Sequence, residues 1–110
     1  MLPTRSGAVM DELVNDVVNR ICNSLRPDKV YLFGSRAAGR ARPDSDIDLL
    51  LLYSGPKAKR DVSREAHRLF PHPQFSLDVF VLTPEEFEAE KEVPNTLARE
   101  VAETGVVCYG

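Results

Sequence analysis

The sequence predicts an α+β domain, a small mixed β-sheet packed by helices. Three observations carry this. Four short apolar runs, at residues 29–33, 46–53, 76–82 and 106–109, have strand length and are bounded by Gly, Pro and Ser. Between and around them lie segments with helical spacing, so helices rather than a second sheet must cover the strands. At 110 residues the chain is one domain, 1–110, by length and is large enough to build a core without disulfide or metal staples.

The elements follow in order. Val9, Met10, Leu13, Val14, Val17, Val18, Ile21, Cys22 and Leu25 recur at three- and four-residue spacing, which predicts an amphipathic helix over about 8–25 stopped by Pro27. Lys29 to Phe33 is a short strand. Residues 35–39 fit one helical turn after Gly34, and 41–45, with Pro43, a loop. Asp46 to Tyr53 is a strand closed by Ser54-Gly55-Pro56. Residues 59–70 are helical, with Val62, Ala66, Leu69 and Phe70 on one side and Pro71 and Pro73 beyond the end. Ser76 to Leu82 is a third strand. Thr83-Pro84-Glu85-Glu86 is a helix start, with Thr83 as cap, Pro84 at the first position and Glu86 reaching back, for a helix to about Lys91. A last helix over about 95–104 ends at Gly105, before a final strand, Val106 to Tyr109.

Composition excludes several classes of protein. An apolar content of 43% with 28% charged residues argues against disorder. The longest aliphatic run, Leu49 to Leu52, is too short to span a bilayer. The start, MLPTRSGAVMDEL, has no apolar signal core, so a cytoplasmic protein with no membrane partner is expected. Cys22 and Cys108 read as buried thiols in a reducing compartment. The net charge of −3 hides a split: residues 26–70 hold ten Lys/Arg against six Asp/Glu, and residues 71–110 two against eight. The basic stretch suits a polyphosphate ligand, whereas the overall acidity argues against direct nucleic-acid binding.

The chemistry concentrates in FGSRAAGRARPDSDIDLLLLY. Side chains two apart on a strand share a face, so Asp46 and Asp48 project together, their α-carbons about 6.6 Å apart. Carboxylates leading into a buried strand need a partner, because desolvating a charge is costly. Two at this separation can converge on metal ions about 3.5–4 Å apart. Oxygen-only ligation suits Mg²⁺, and no His or Cys lies near in sequence, which disfavours zinc. Asp78, the one charge inside the apolar run 76–82, joins the pair if its strand is the neighbour. Three carboxylates so close raise one another's pKa unless a cation intervenes. Gly34 lets the backbone approach a ligand, and the amides of the following turn with the Ser35 hydroxyl can hold a phosphate. Arg36, Arg40 and Arg42 add charge, although each alone reads as a solvated loop residue. His67 and His72 read as a helix-surface and a turn residue, and Glu85 to Glu92 as a solvated helix face.

Gly34-Ser35, ten intervening residues and Asp46-Ile47-Asp48 resemble the signature of the nucleotidyltransferases of the DNA polymerase beta superfamily, with Asp78 at the place of that family's third carboxylate. Phe33-Gly34-Ser35-Arg36-Ala37, Ser45-Asp46-Ile47-Asp48-Leu49, Val81 to Phe87 and Gly105 to Tyr109 are most similar to the minimal nucleotidyltransferases, single-domain antitoxins encoded beside HEPN-type ribonuclease toxins. The resemblance implies a polymerase beta-like fold and transfer of AMP from ATP to a hydroxyl with release of pyrophosphate. Asp46, Asp48 and Asp78 would be catalytic and hold two Mg²⁺ ions, with Asp78 also assisting as a base; Gly34, Ser35 and Arg36 would bind the nucleotide. In antitoxins of this type the acceptor is a tyrosine of the toxin. Larger relatives carry a helical domain that shapes the acceptor pocket. This chain has no room for one, so a partner chain or a second copy is expected to complete the site, in a homo- or hetero-oligomer. Two further readings stand beside this one: an antitoxin that neutralises its toxin by binding alone, and a transferase for a small hydroxylated molecule of the aminoglycoside type.

Overall fold

A computed structural model describes residues 12–38, 46–71, 73 and 75–110. Its elements are α1 (Glu12–Leu25), β1 (Lys29–Phe33), β2 (Ile47–Leu52), α2 (Lys59–Arg68), β3 (Leu77–Leu82), α3 (Pro84–Glu90), α4 (Leu97–Thr104) and β4 (Val106–Tyr109). The four strands form one mixed sheet in the order β3-β2-β1-β4. β1 runs antiparallel to β2 and to β4, whereas β2 and β3 are parallel. This is the α+β arrangement expected from the sequence.

Alternation along β2 divides the core. Ile47, Leu49 and Leu51 face α1 and α2 and join Val14, Val17, Ile21, Val62 and Ala66 in the larger cluster. Leu50 and Leu52 face the other way and join Phe33, Phe87, Ala98 and Val101 under α3 and α4. β2 is therefore apolar on both sides along most of its length, as a central strand covered on both faces must be. Its one polar residue, Asp48, lies at the N-terminal end, and Asp46 immediately precedes the strand.

Local chemistry explains the element ends. α1 stops where Arg26 turns left-handed at φ 53, immediately before Pro27. α2 ends at Arg68, two residues short of expectation, because Phe70 precedes Pro71 and a residue before proline is pushed out of helical geometry. The Thr83 box forms as expected: Glu86 N–H donates to Thr83 Oγ1 at 3.0 Å, and Thr83 N–H donates to Glu86 Oε1 at 2.9 Å. α4 begins at Leu97 rather than Asn95, which is left-handed at φ 68, and Thr96 Oγ1 accepts from Arg99 N–H at 3.1 Å. Gly105 ends α4, but not through a left-handed turn. Its φ is −76, and a β-carbon there would lie 2.6 Å from the Val101 carbonyl oxygen. Both cysteines are half-buried and neither is in a disulfide; the Cys108 thiol donates to the Val106 carbonyl at 3.7 Å, and burial pushes the Cys22 thiol up from its ordinary value. No helix among the described residues is long and apolar enough to cross a membrane.

Candidate active site

The antiparallel β1–β2 pair brings the two halves of the sequence motif together. Phe33 is the register partner of Asp48, so Gly34 leaves β1 directly beside that carboxylate. Gly34 has φ +80, a conformation that costs a side-chain-bearing residue free energy. A β-carbon there would also run into Oδ2 of Asp48. Both facts require glycine. Residues 35–38 form a turn closed by the Ala38 N–H donating to the Gly34 carbonyl at 3.2 Å, and Ser35 is half-buried within it. The expected helical turn is thus met for 35–38. Residue 39 and the expected loop at 41–45, with Arg40 and Arg42, lie outside the described residues, as does His72.

Asp78 arrives from the other side. β2 and β3 pair in parallel with Asp48 opposite Asp78. Oxygen atoms of Asp46, Asp48 and Asp78 all lie within 4.8 Å of one another, with Asp48 half-buried and the other two exposed. Burial raises Asp48 to about 6, and the Asp78 charge, a hydrogen bond with Asp78, and the charges of Asp46 and Glu100 add to the effect. A cluster that holds a carboxyl this far above its ordinary value is short of positive charge. The donors are all oxygens, with no imidazole or thiolate among them, so the set fits a hard divalent cation such as Mg²⁺ and is a poor match for zinc.

α2 steadies the strand that carries Asp78. The ring nitrogens of His67 lie 2.9 Å from the Ser63 carbonyl (Nδ1) and 3.0 Å from the Leu77 carbonyl (Nε2). The Ser63 hydroxyl donates to the Val79 carbonyl at 3.2 Å. The carbonyls on either side of Asp78 are therefore engaged on the outer side of an end strand, which would otherwise present open pairing groups. His67 is exposed on the helix surface, as expected, but it also bridges two elements.

Arg36 departs from expectation. Its side chain is only 4% exposed and interacts within the fold, so it is not a solvated loop arginine. Two residues near the carboxylates escaped sequence reasoning. Glu100, on α4, lies far away in the chain, and nothing local marks it. Phe80 reads as core in an apolar strand yet is 43% exposed; the available signal is its parity with Asp78, two residues away.

Comparison with known proteins identifies the domain. A family model described as a nucleotidyltransferase domain matches residues 14–106. No curated protein matches the sequence. Among solved structures, a putative nucleotidyltransferase from Sulfolobus solfataricus is 25% identical, with 87% of this chain and 76% of that chain covered at a TM-score of 0.59. A toxin–antitoxin crystallised with AMP-PNP is 17% identical, with 87% and 73% covered at 0.58. A mutant of the toxin–antitoxin MntA-HpeT is 19% identical, with 92% and 73% covered at 0.56. The last two show likeness of fold.

Proposed function

The chain belongs to the nucleotidyltransferase domain family, and from that premise we propose that it transfers AMP from ATP to a tyrosine hydroxyl of a HEPN-type ribonuclease toxin and so acts as its cytoplasmic antitoxin. The observation that carries the reading is the convergence of Asp46, Asp48 and Asp78 within 4.8 Å beside the Gly34-Ser35 turn. The resemblance of the motif-bearing segments to minimal nucleotidyltransferases supports the antitoxin role, as does a neighbouring fold crystallised as a toxin–antitoxin with AMP-PNP.

Each residue has a part in the transfer. Gly34 lets the backbone reach the β- and γ-phosphates, and the Ser35 hydroxyl donates to them. Arg36, buried within the turn, adds positive charge there. Asp46, Asp48 and Asp78 would hold two Mg²⁺ ions, which when bound neutralise charge on the triphosphate and lower the pKa of the acceptor hydroxyl. The acceptor oxygen bonds to the α-phosphorus, the bond to pyrophosphate breaks, and the hydroxyl proton passes to Asp78 and then to solvent. The single domain 1–110 supplies the nucleotide half of the site, and the partner supplies the hydroxyl.

The test is mass spectrometry of the toxin from the adjacent reading frame after incubation with the purified protein, ATP and Mg²⁺. Adenylyl increments are expected with the wild type and not with Asp46→Asn or Asp48→Asn. Equal labelling by either variant would refute the site. An unmodified toxin in a tight complex would replace transfer with neutralisation by binding.

A further inference from the structure

The strand order separates the two ends of the reaction. Gly34 leaves β1 on one side of Asp48, and Asp78 stands on β3 on the other. In phosphoryl transfer the attacking and leaving oxygens stand roughly in line. Pyrophosphate held at Gly34-Ser35 therefore leaves toward β1, and the incoming hydroxyl must approach from the β3 side.

On that side the surface is aromatic. Phe80 follows Asp78 by two residues on β3, so the two side chains share a face about 6.6 Å apart along the strand. Its neighbours on this face, Phe33, Leu50 and Leu52, are buried, whereas Phe80 is 43% exposed. Its ring is not loose: it packs at 5.8 Å and 52° against Phe33, the residue immediately before the phosphate turn. A phenyl ring held by this tilted contact, 43% exposed and on the same strand face as Asp78, offers open apolar surface next to the third carboxylate, on the side from which the acceptor's hydroxyl must arrive.

We propose that Phe80 is an acceptor-positioning residue whose ring takes the aromatic body of the hydroxyl-bearing group, favouring a phenol over an aliphatic alcohol. The inference rests on the transfer reading above. Ring-on-ring contact contributes beyond simple burial and fixes orientation, which is what an attacking oxygen needs.

The experiment uses the full chain as wild type, Phe80→Ala and Phe80→Tyr, with N-acetyl-tyrosinamide and N-acetyl-serinamide as acceptor probes. MgATP binding is measured by calorimetry, probe binding to the nucleotide-loaded protein by NMR, and transfer by pyrophosphate release. Phe80→Ala is expected to raise KM for the tyrosinamide roughly tenfold, while the MgATP Kd changes by less than about twofold and the weaker use of serinamide is unaffected. Phe80→Tyr should restore the tyrosinamide KM. Weakened MgATP binding with an unchanged acceptor KM would assign the ring to the nucleotide and overturn the inference. So would unchanged constants, or a wild type that binds MgATP but neither binds nor modifies the tyrosinamide. A wild type that binds no MgATP would overturn the transfer reading itself, and the inference with it.

Discussion

Asp48→Asn should stabilise the metal-free protein even as it removes the proposed activity. Asp48 is held at about 6 against an ordinary 3.8, by burial first and by its acidic neighbours next. The folded carboxyl grips its proton more tightly than the unfolded one. The resulting stabilisation is full below pH 3.8 and is lost as pH rises to about 6. At 1.36 kcal/mol for each tenfold in proton affinity, the difference corresponds to about 3 kcal/mol if the carboxyl were fully desolvated. Asp48 keeps part of its water contact, and screening reduces the figure to roughly 1.5 kcal/mol. An asparagine removes the charge and can still donate to Asp78. In EDTA at pH 7.5 its melting temperature should exceed that of the wild type by roughly 5–8 °C, and the gap should close near pH 4. Mg²⁺ should raise the wild-type Tm and leave the variant nearly unmoved. Scanning calorimetry across pH 4–8, with and without Mg²⁺, reads all of this. An asparagine variant less stable than the wild type at pH 7.5, or a gap that does not change with pH, would refute the electrostatic account of the triad.

Three other expectations address the supports of the site. Gly34→Ala forces a β-carbon into left-handed geometry and toward Asp48, so stability should fall by at least about 1–2 kcal/mol in urea titration and MgATP binding should be lost in calorimetry; an unchanged Kd would refute close backbone approach at this turn. Thr83→Ala removes the acceptor for Glu86 N–H and should cost about 1 kcal/mol, largely recovered by Thr83→Ser; equal losses in both would show that the cap oxygen is not what matters. His67→Ala frees the Leu77 carbonyl at the edge of β3, which should cost about 1 kcal/mol and speed amide hydrogen exchange across residues 77–80; unaltered exchange would show that α2 does not secure the strand.

How much of this was legible in the chain depends on the range of the physics involved. Spacing and turn chemistry act over a few residues, so the bounds of β1 and β4, the Thr83 box and the shared face of Asp46 and Asp48 could be read directly. The helix ends were less legible where a neighbour acts on them, as Pro71 does on α2.

By itself, the sequence determined the motif: a glycine where the chain must turn left-handed, a serine after it, and two carboxylates on one face of a strand. Only the tertiary structure decided what the motif faces. Parallel pairing sets Asp78 opposite Asp48 across a helical connection, α4 brings Glu100 into electrostatic reach, packing buries Arg36, and the helices leave Phe80 uncovered beside Asp78. Strand alternation settles which residues share a face. Whether a face meets a helix, a carboxylate or water depends on contacts between residues far apart in the chain, which no local pattern encodes.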